Sequence, residues 1–458
     1  MKNDEWKKLQ DSATIESLKA KAISSAAQPK DEEFWKWLWG ARKVKAPEAW
    51  NLGYTGAGII VAVVDTGVDG THPDLQGQLV TGYRPLTREL LSPDMDSSYG
   101  GSHGTHVAGT IAAKDNDIGI IGVAPNAKIM PIVIFDDLDP NDPNKQNVYI
   151  GDDLVAEGFL WAAENGAKIF SNSWGGKGYS ITLAQTIALI MKEYNGIFVA
   201  SAGNSHTDEI HYPSCYPGVI NVAASTAEDG ITYFSTRGRW ITVAAPGDFT
   251  ILSTVPGLGS PGYEGHTLED EEGGTYDFYG GTSMATPHVS GVIALLLEKL
   301  ASENKSYTPY QIRKHIAQTA DDIMAPGFDH DSGWGRVNAY KALTTTLPKD
   351  TGANVLLRFY VEINGEYRYA PEVYVTMYPE NSNVPIYYGK SNDDGEVFFA
   401  AIEPGKYDVY ACFGDVWYLQ NLHGIEVTID DQLTKHFEFT FANGDTIVPV
   451  FMGSITLQ

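Results

Sequence analysis

The chain has 458 residues, with 32 Lys and Arg against 58 Asp and Glu, and its formal charge at pH 7 is −26. A chain this acidic offers no basic face for phosphates, so we expect neither nucleic acid nor an anionic membrane surface as a partner. Apolar residues make up 43% of the chain, which favours a globular protein over disorder or a coiled coil. The excess of acid is typical of a secreted, calcium-binding or salt-tolerant protein, or simply of a well-solvated surface.

Residues 1–42 predict an N-terminal extension. Apolar positions between Trp6 and Ile23 recur at helical intervals and predict a surface helix. The aromatic residues 34–39 should pack along the following domain, with an autoinhibitory position in a cleft as the alternative. Residues 1–30 lack the apolar core of a signal peptide, and no run of 18 apolar residues follows. We therefore expect no signal segment in this chain and no membrane span.

Residues 43–346 alternate apolar runs with helical patterns. Continuous apolar strands are buried on both faces, as in a parallel sheet covered by helices, and we predict an α/β three-layer sandwich with a mostly parallel sheet. The predicted strands are residues 59–64, 128–135, 167–171, 197–201 and 219–224. The predicted helices are residues 104–113, 153–165, 182–194 and 283–301.

Residues 347–458 follow a polar stretch that contains Pro348 and Gly352, and they predict a C-terminal all-β sandwich. Turn signals separate short alternating strands. The predicted strands are residues 355–363, 372–378, 384–388, 396–402, 407–413, 425–429 and 436–441. Residues 393–399 and 404–407 resemble the carboxypeptidase-regulatory or prealbumin-like accessory fold. The two cysteines, Cys215 and Cys412, lie in different predicted domains, so we expect no disulfide scaffold, and a bridge between the domains is the alternative.

Three side chains that together can activate a hydroxyl occur in the order Asp65, His103, Ser283, one of the chain orders known for hydrolase triads. They lie in Val-Ala-Val-Val-Asp-Thr-Gly-Val-Asp at 61–69, Gly-Gly-Ser-His-Gly-Thr-His-Val-Ala-Gly at 100–109 and Gly-Thr-Ser-Met-Ala-Thr-Pro-His at 281–288. This order and these runs resemble the subtilisin-like serine proteases of the subtilase family. The resemblance implies that Ser283 is the nucleophile, that His103 is its base and that Asp65 orients the imidazole.

The resemblance also implies an oxyanion donor and a substrate strand. Asn204, in Ala-Ser-Ala-Gly-Asn-Ser at 200–205, would supply the second donor beside the Ser283 N–H, although an Asn after Gly is otherwise usually a turn residue. An extended peptide would pair with the strand at 173–176, and the primary pocket would have no buried carboxylate. The expected substrate-binding residues are Ser173, Trp174, Gly175, Ser201 and Gly203. We therefore expect large apolar P1 residues, with His211 limiting the depth of the pocket.

The same resemblance implies one structural Ca²⁺. Asp74 and the side chain of Asn116 would bind it, together with carbonyls of Lys114, Ile118 and Ile120. Two insertions, at residues 135–147 and 257–280, contain further acidic residues. The run Glu269 to Glu272 could bind a cation or attract a basic substrate, or it could consist of solvated loop charges.

Three further histidines need an explanation. His106 follows His103 by three residues, but a third ligand is missing nearby, so we expect a packed or capping side chain rather than a zinc ligand. His72 and His288 are expected to be structural.

The resulting hypothesis is a secreted, monomeric serine endopeptidase that acts on proteins or peptides with broad specificity. Two alternatives stay open. One is a processing protease that prefers basic residues, and the other is an inactive binding or scaffold protein that works through its β-sandwich.

Overall fold

The computed structural model describes residues 33–137, 147–363, 365–382, 385–413 and 435–455. The predicted N-terminal helix and the predicted strand at 425–429 lie outside these residues. Within the described part of the chain, no helix combines the length and apolarity needed to cross a membrane.

Eight α-helices lie in the described residues before the sandwich. They are α1 (Trp39–Lys43), α2 (Ala46–Trp50), α3 (His103–Ala112), α4 (Asp152–Glu164), α5 (Ile181–Tyr194), α6 (Thr282–Ser302), α7 (Pro309–Gln318) and α8 (Ala339–Thr344). Local signals set several of their ends. At α7, Thr308 and Gln311 form a reciprocal capping box, and Pro309 occupies the first turn, where its missing N–H is not needed.

The strands of this part form one large sheet and two small ones. They are β1 (Ile60–Asp65), β2 (Gly82–Arg84), β3 (Glu89–Leu91), β4 (Lys128–Val133), β5 (Phe135–Asp136), β6 (Val148–Tyr149), β7 (Ile169–Asn172), β8 (Ile197–Ser201), β9 (Ile220–Ser225), β10 (Val243–Pro246), β11 (Ile251–Val255), β12 (Leu268–Glu269) and β13 (Thr275–Tyr279). The large sheet has the order β10-β9-β8-β7-β1-β4-β2-β3, and every pair is parallel except β2 with β3.

Two apolar clusters cover the faces of this sheet. One face packs on α3 and α6, and the other packs on α4 and α5. Strand β1 contributes alternate residues to the two clusters, so Val61 and Val63 face one layer while Ala62 and Val64 face the other. Because both faces are covered, the strands read as continuous apolar runs, and the predicted three-layer α/β fold is confirmed.

The C-terminal residues form two packed, mainly antiparallel sheets, so the predicted β-sandwich is confirmed as well. Its strands are β14 (Ala353–Ile363), β15 (Glu366–Tyr369), β16 (Val373–Pro379), β17 (Tyr387–Lys390), β18 (Glu396–Ile402), β19 (Gly405–Phe413), β20 (Lys435–Phe441) and β21 (Gly444–Ile455). Strands β15, β14, β18 and β21 form one sheet, and β17, β16, β19 and β20 form the other. One prediction needs correction: the strand expected at 384–388 begins only at Tyr387, beyond Pro385, which has no N–H for a ladder.

The aromatic segment packs on the α/β domain. Phe34, Trp35, Trp37 and Leu38 are buried in a cluster with residues of β11, β13 and the turn after α3. The Phe34 N–H donates to the Gly119 carbonyl at 2.8 Å. This is the packed position expected from the sequence, whereas the alternative placed the segment in a cleft. Both cysteines are free thiols.

Candidate active site

Three neighbouring strands of the large sheet, β8, β7 and β1, end at the same edge. Asp65 is the last residue of β1, Ser173 follows β7 directly, and Asn204 lies just beyond β8. Adjacent strands lie about 4.8 Å apart, so this parallel arrangement brings the three positions together at one sheet edge. The buried apolar strands therefore position polar groups that are far apart in the sequence.

Asp65 and His103 form a hydrogen-bonded pair. The distance from His103 Nδ1 to Asp65 Oδ1 is 2.8 Å, and the same oxygen accepts from the Thr66 N–H. Asp65 is buried, whereas the His103 side chain is one-third exposed, at 33%. His103 opens α3, which comes close to β1 because residue 104 is glycine: a Cβ there would lie 2.1 Å from the Gly67 carbonyl oxygen.

The pKa of His103 reflects two opposing effects. Burial lowers it, but the charge of Asp65 and the hydrogen bond to Asp65 outweigh burial, and the charge of Glu264 acts in the same direction. The net result is a pKa above the ordinary value of histidine. Asp65 therefore stabilises the imidazolium form that a general base must reach during proton transfer.

Ser283 lies in the first turn of α6, and it is tied to Ser173 by reciprocal hydrogen bonds. Ser283 Oγ donates to the Ser173 carbonyl at 2.8 Å, and Ser173 Oγ donates to the Ser283 carbonyl at 2.8 Å. Because β7 pairs with β1, Ser283 is held one strand away from the Asp65–His103 pair. Among the described contacts, Ser283 Oγ bonds to Ser173 and not to His103.

Two N–H donors flank the start of α6. Asn204 Oδ1 accepts from the N–H and the hydroxyl of Thr282, both at 3.0 Å, which fixes the orientation of the amide. A Cβ on Gly281 would lie 3.5 Å from Asn204 Nδ2 and 3.6 Å from the Ser283 nitrogen, so the two nitrogens face one space. The φ of Gly281 is 148°, which also favours glycine. The two nitrogens are the candidate donors to a small anionic oxygen.

The expected substrate residues lie at and beyond the ends of β7 and β8. Ser201 Oγ donates to the Trp174 carbonyl at 3.4 Å, so the ends of β7 and β8 remain joined. Gly175 is exposed, and Gly176 exchanges both backbone hydrogen bonds with Tyr212. The Gly176 backbone is thus engaged within the chain, and the exposed Gly175 is the position where an extended peptide could pair with the backbone.

His211 lies close to both Gly175 and Gly203. A Cβ on Gly203 would lie 3.0 Å from His211 Nδ1, and a Cβ on Gly175 would lie 4.0 Å from His211 Cβ. Burial lowers the pKa of His211, while the charge of Glu209 opposes this effect. The imidazole is therefore mainly neutral at pH 7, and it restricts the space between Gly175 and Gly203.

Glu264 is a contributor to the site that the sequence patterns did not single out. It comes from the insertion at 257–280, and its Oε2 accepts from Ser102 Oγ at 2.5 Å. Ser102 immediately precedes His103 and also bonds the Tyr279 hydroxyl at 2.6 Å. Glu264 stands alone between Tyr263 and Gly265, so the sequence offered less reason to select it than the acidic run at Glu269–Glu272.

A second group of buried polar atoms surrounds Asp74. Its Oδ2 accepts from the Ile120 N–H and the Tyr276 hydroxyl, both at 2.9 Å. Asp74 Oδ1 and Asn116 Oδ1 are buried and have no hydrogen-bond partner among the described residues. Burial raises the pKa of Asp74 to about 7, against hydrogen bonds from Ile120, Tyr276 and Asn116 that lower it, and Asp270 adds to the increase.

This group fits a hard divalent cation. Asp270 Oδ2 accepts from the Tyr276 hydroxyl at 2.5 Å, so two buried carboxylates share one O–H donor. The Lys114 N–H donates to the Asp74 carbonyl at 3.0 Å, which folds the turn after α3 onto Asp74. Oxygens without donors beside two carboxylates match the preference of Ca²⁺ for oxygen ligands. No backbone hydrogen bond among the described residues orients the Ile118 carbonyl, and Asp270 was not expected at this turn.

The other histidines have structural partners. His106 is buried, stacks on Tyr279 and lies 3.0 Å from the Ile251 carbonyl oxygen, and burial together with the His103 charge lowers its pKa to about 3. His72 accepts from the Asp74 N–H, and His288 Nδ1 donates to the Met284 carbonyl.

One surface group on the sandwich has metal-ligand character. Asp408, His436 and Glu438 bring one ligand atom each within 4.8 Å of one another. The His436 Nε2 already pairs with Asp408 Oδ1 at 2.9 Å, and all three side chains are accessible, so an ion pair explains this group.

Comparison with known proteins agrees with this architecture. The subtilase family matches residues 56–335, and a family described as a DR_A0283-like, Ig-like domain matches residues 347–428. Fervidolysin of Fervidobacterium pennivorans is 47% identical over 408 residues, which cover 87% of this chain and 56% of fervidolysin. Thermitase of Thermoactinomyces vulgaris is 37% identical over 318 residues, which cover 69% of this chain and 99% of thermitase.

Comparison with solved structures also finds a protein related to subtilisin. The crystal structure of fervidolysin, described as a keratinolytic enzyme related to subtilisin, matches with a TM-score of 0.80 at 42% identity, over 94% of this chain and 65% of that chain. The probable subtilase-type serine protease DR_A0283 of Deinococcus radiodurans is 32% identical, and 52% of it is covered. This chain thus spans about half the length of these two curated relatives. With a family match across most of the α/β domain, the chain belongs to the subtilase family.

Proposed function

We propose that the chain is an extracellular serine endopeptidase that hydrolyses protein and peptide substrates through Ser283, His103 and Asp65. The observation that carries this proposal is the Asp65–His103 hydrogen bond at 2.8 Å, one strand from a serine at a helix N-terminus. Membership of the subtilase family supports the same reaction.

The first step transfers a proton and forms a bond. Ser283 rotates about χ1 from the Ser173 carbonyl toward His103, a change between staggered rotamers that substrate binding can favour. His103 Nε2 takes the hydroxyl proton while Ser283 Oγ bonds to the scissile carbonyl carbon. The carbonyl oxygen becomes negative and accepts hydrogen bonds from Asn204 Nδ2 and the Ser283 N–H.

The second step breaks the peptide bond. Imidazolium gives its proton to the leaving amine, and an acyl-enzyme ester remains on Ser283. Water then loses a proton to His103, attacks the ester and releases the carboxylic acid with Ser283 restored. Asp65 keeps its negative charge throughout and stabilises the imidazolium in both halves of the reaction.

For substrate selection we propose an extended peptide along Ser173, Trp174 and Gly175. Its P1 side chain would enter between that strand and Ser201 to Gly203, where the lining is neutral, so we propose a preference for large apolar P1 residues. His211 limits the depth of this pocket. Replacing it with glycine should therefore shift preference toward the bulkiest P1 side chains.

We also propose a structural Ca²⁺ at Asp74 and Asn116, with carbonyls of Lys114, Ile118 and Ile120 completing the shell. Bound calcium would neutralise buried carboxylate charge and hold the turn after α3. The two buried oxygens without donors support this site.

A mixed peptide library tests the proposed reaction. The protein should cleave internal bonds after apolar residues, and Ser283→Ala should lose at least 10⁵-fold in kcat. The matched control Ser302→Ala removes a hydroxyl from an exposed helix end and should cleave like the parent. Cleavage after Lys or Arg would support the processing alternative, and absence of cleavage from a folded protein would support the scaffold alternative.

A further inference from the structure

A cavity of about 550 Å³ lies between the α/β domain and the β-sandwich. Its walls are residues 214–219, residues 239–242, helix α7 and residues 385–388 of the sandwich. This volume lies within the range of ligand sites, which extends from about 300 to 1,000 Å³. The cavity is separate from the Asp65, His103 and Ser283 site, so the reaction described above makes no use of it.

Two arginines line this cavity without partners. Neither Arg239 nor Arg313 makes a hydrogen bond or ion pair with any residue that the structure describes. The remaining arginines each contact a carboxylate or a carbonyl; they are Arg42, Arg84, Arg88, Arg237, Arg336, Arg358 and Arg368. In a chain of net charge −26, unpaired guanidinium groups are exceptional, and both of these border one cavity.

The other charges of the cavity are already engaged. Lys314 Nζ donates to the Tyr310 hydroxyl at 2.8 Å, and that hydroxyl donates to Glu403 Oε2 at 2.5 Å. Asp322 Oδ2 accepts from the Gly327 N–H at 2.7 Å. The two arginines therefore leave a positive excess in the cavity, which a ligand carboxylate would neutralise by charge-assisted, bidentate hydrogen bonds.

Aromatic groups complete the lining. Trp240 Nε1 is buried and has no acceptor among the described residues. Phe328 and Trp334 are 37% and 48% exposed, and their ring centroids lie 5.6 Å apart. A ligand that matches all of these groups would be an anion for the arginines, with a hydrogen-bond acceptor for Trp240 Nε1 and a flat apolar portion for the aromatic rings.

We propose that this cavity is an exosite for acidic peptide segments that contain an aromatic residue, located in protein substrates at a distance from the scissile bond. The identification of the occupant as substrate rests on the proposed peptidase function. The position of the cavity supports it, because the Cys215 N–H and Ser214 Oγ both donate to the His211 carbonyl at 2.9 Å. One chain segment thus forms a wall of the cavity and a wall of the primary pocket.

Calorimetric titration of the Ser283→Ala protein tests the exosite without depending on catalysis. The probes are the acetylated, amidated tripeptide Glu-Trp-Glu and its uncharged counterpart Gln-Trp-Gln. We expect only the acidic peptide to bind, and we expect R239Q/R313Q to raise its Kd at least tenfold. The control R88Q/R368Q removes the same charge from two exposed arginines and should leave Kd unchanged.

A second measurement covers the case in which R239Q/R313Q folds poorly. A benzophenone-labelled acidic peptide should cross-link to fragments that contain residues 239–242 or 328–334 of the Ser283→Ala protein. Equal binding of both peptides, equal loss in the two double variants, or cross-links confined to other surfaces would overturn the exosite. Any of these results would leave the proposed hydrolysis intact, because that proposal is tested by cleavage.

Discussion

Two regions of the α/β domain bury a carboxylate and compensate its charge in different ways. One is the strand edge with Asp65, His103 and Ser283, and the other is the turn around Asp74. Both place a buried carboxylate at low exposure, where an uncompensated charge is costly. At the strand edge, Asp65 faces an imidazole that can take up positive charge. At the turn, Asp74 faces Tyr276, Asn116 and another carboxylate, and none of these groups supplies a cation.

The two regions differ in the partners that the chain itself supplies to their buried polar groups. Ser283, Ser173, Asn204 and Thr282 are positioned by hydrogen bonds to one another. Asp65 has the His103 imidazole as its partner, although Asp65 Oδ2 has no hydrogen-bond partner among the described residues. The Asp74 turn keeps oxygens without donors and, within the described part of the chain, faces no cationic group, so we expect an external ion to stabilise it. Substitutions in each region can test this difference separately.

Among substitutions that keep Ser283, the largest effect is expected from Asp65→Asn. The amide leaves the volume nearly unchanged but removes the charge that stabilises the imidazolium, so kcat should fall by roughly 10⁴, as for the same change in another serine protease. In the plot of the remaining activity against pH, the acid limb should also move to lower pH, because the pKa of His103 is no longer raised by Asp65. Steady-state kinetics from pH 5 to 9 measure both effects, with the exposed Asp153→Asn as the control. Loss of activity without movement of the limb would contradict the assigned role of Asp65.

Asn204→Ala should lower kcat by roughly 10²- to 10³-fold with little change in KM, the magnitude measured for the corresponding amide of subtilisin, a relative. The donor acts on charge that exists only in the transition state, which separates kcat from KM. Asn126→Ala, which removes an exposed amide that bonds to Thr55, is the matched control. A loss that appears mainly in KM would show that Asn204 binds substrate instead.

Removal of calcium should lower Tm by roughly 5 to 10 °C. At about 100 times Kd a bound ligand stabilises by about 2.7 kcal/mol, and in domains of 150–250 residues 1 kcal/mol corresponds to about 2 to 4 °C. The folded pKa of Asp74 is raised to about 7, above its unfolded value, so the metal-free protein should lose stability as pH rises from about 4 to 7.

The variant Asp74→Asn isolates this site. It should abolish the effect of EDTA on Tm and remove that part of the pH dependence, whereas the exposed Asp94→Asn should behave like the parent. Scanning calorimetry with and without EDTA at pH 5 and pH 8 provides the comparison. An undiminished EDTA effect in Asp74→Asn would place the stabilising ion elsewhere.

The smallest effect is expected from Glu264→Gln. Its charge raises the pKa of His103 together with Asp65, so its removal should shift the acid limb of kcat/KM slightly to lower pH. Because Glu264 is exposed, salt should diminish the shift. Glu269→Gln, in the same insertion, is the control. A shift toward higher pH in Glu264→Gln would show that another group determines the titration.

The sequence predicted elements best where local patterns decide the structure. Strand β8 lies within the predicted bounds, and Asp65, His103 and Ser283 were singled out by short runs around each residue. Strand β21 was missed, because its parallel pairing with β14 depends on residues about 90 positions away. Strand β15 was missed because its four residues are all exposed and show no alternation.

The candidate site follows the same rule. Ser173 was expected at the substrate strand, but its reciprocal bonds with Ser283 depend on how α6 meets the end of β7. Glu264 and Asp270 come from an insertion whose path is set by long-range packing, so neighbouring acidic residues gave no means of choosing between them. The contacts that residues of this insertion make with the rest of the chain could therefore not be predicted from the sequence.

Labelling with a fluorophosphonate probe tests the central claim most directly, because the probe reacts only with an activated serine. We predict one label per chain on Ser283, found by peptide mass spectrometry, with labelling abolished in His103→Ala and faster as pH rises through the pKa of His103. A folded protein that stays unlabelled, or a label on a different residue, would contradict it.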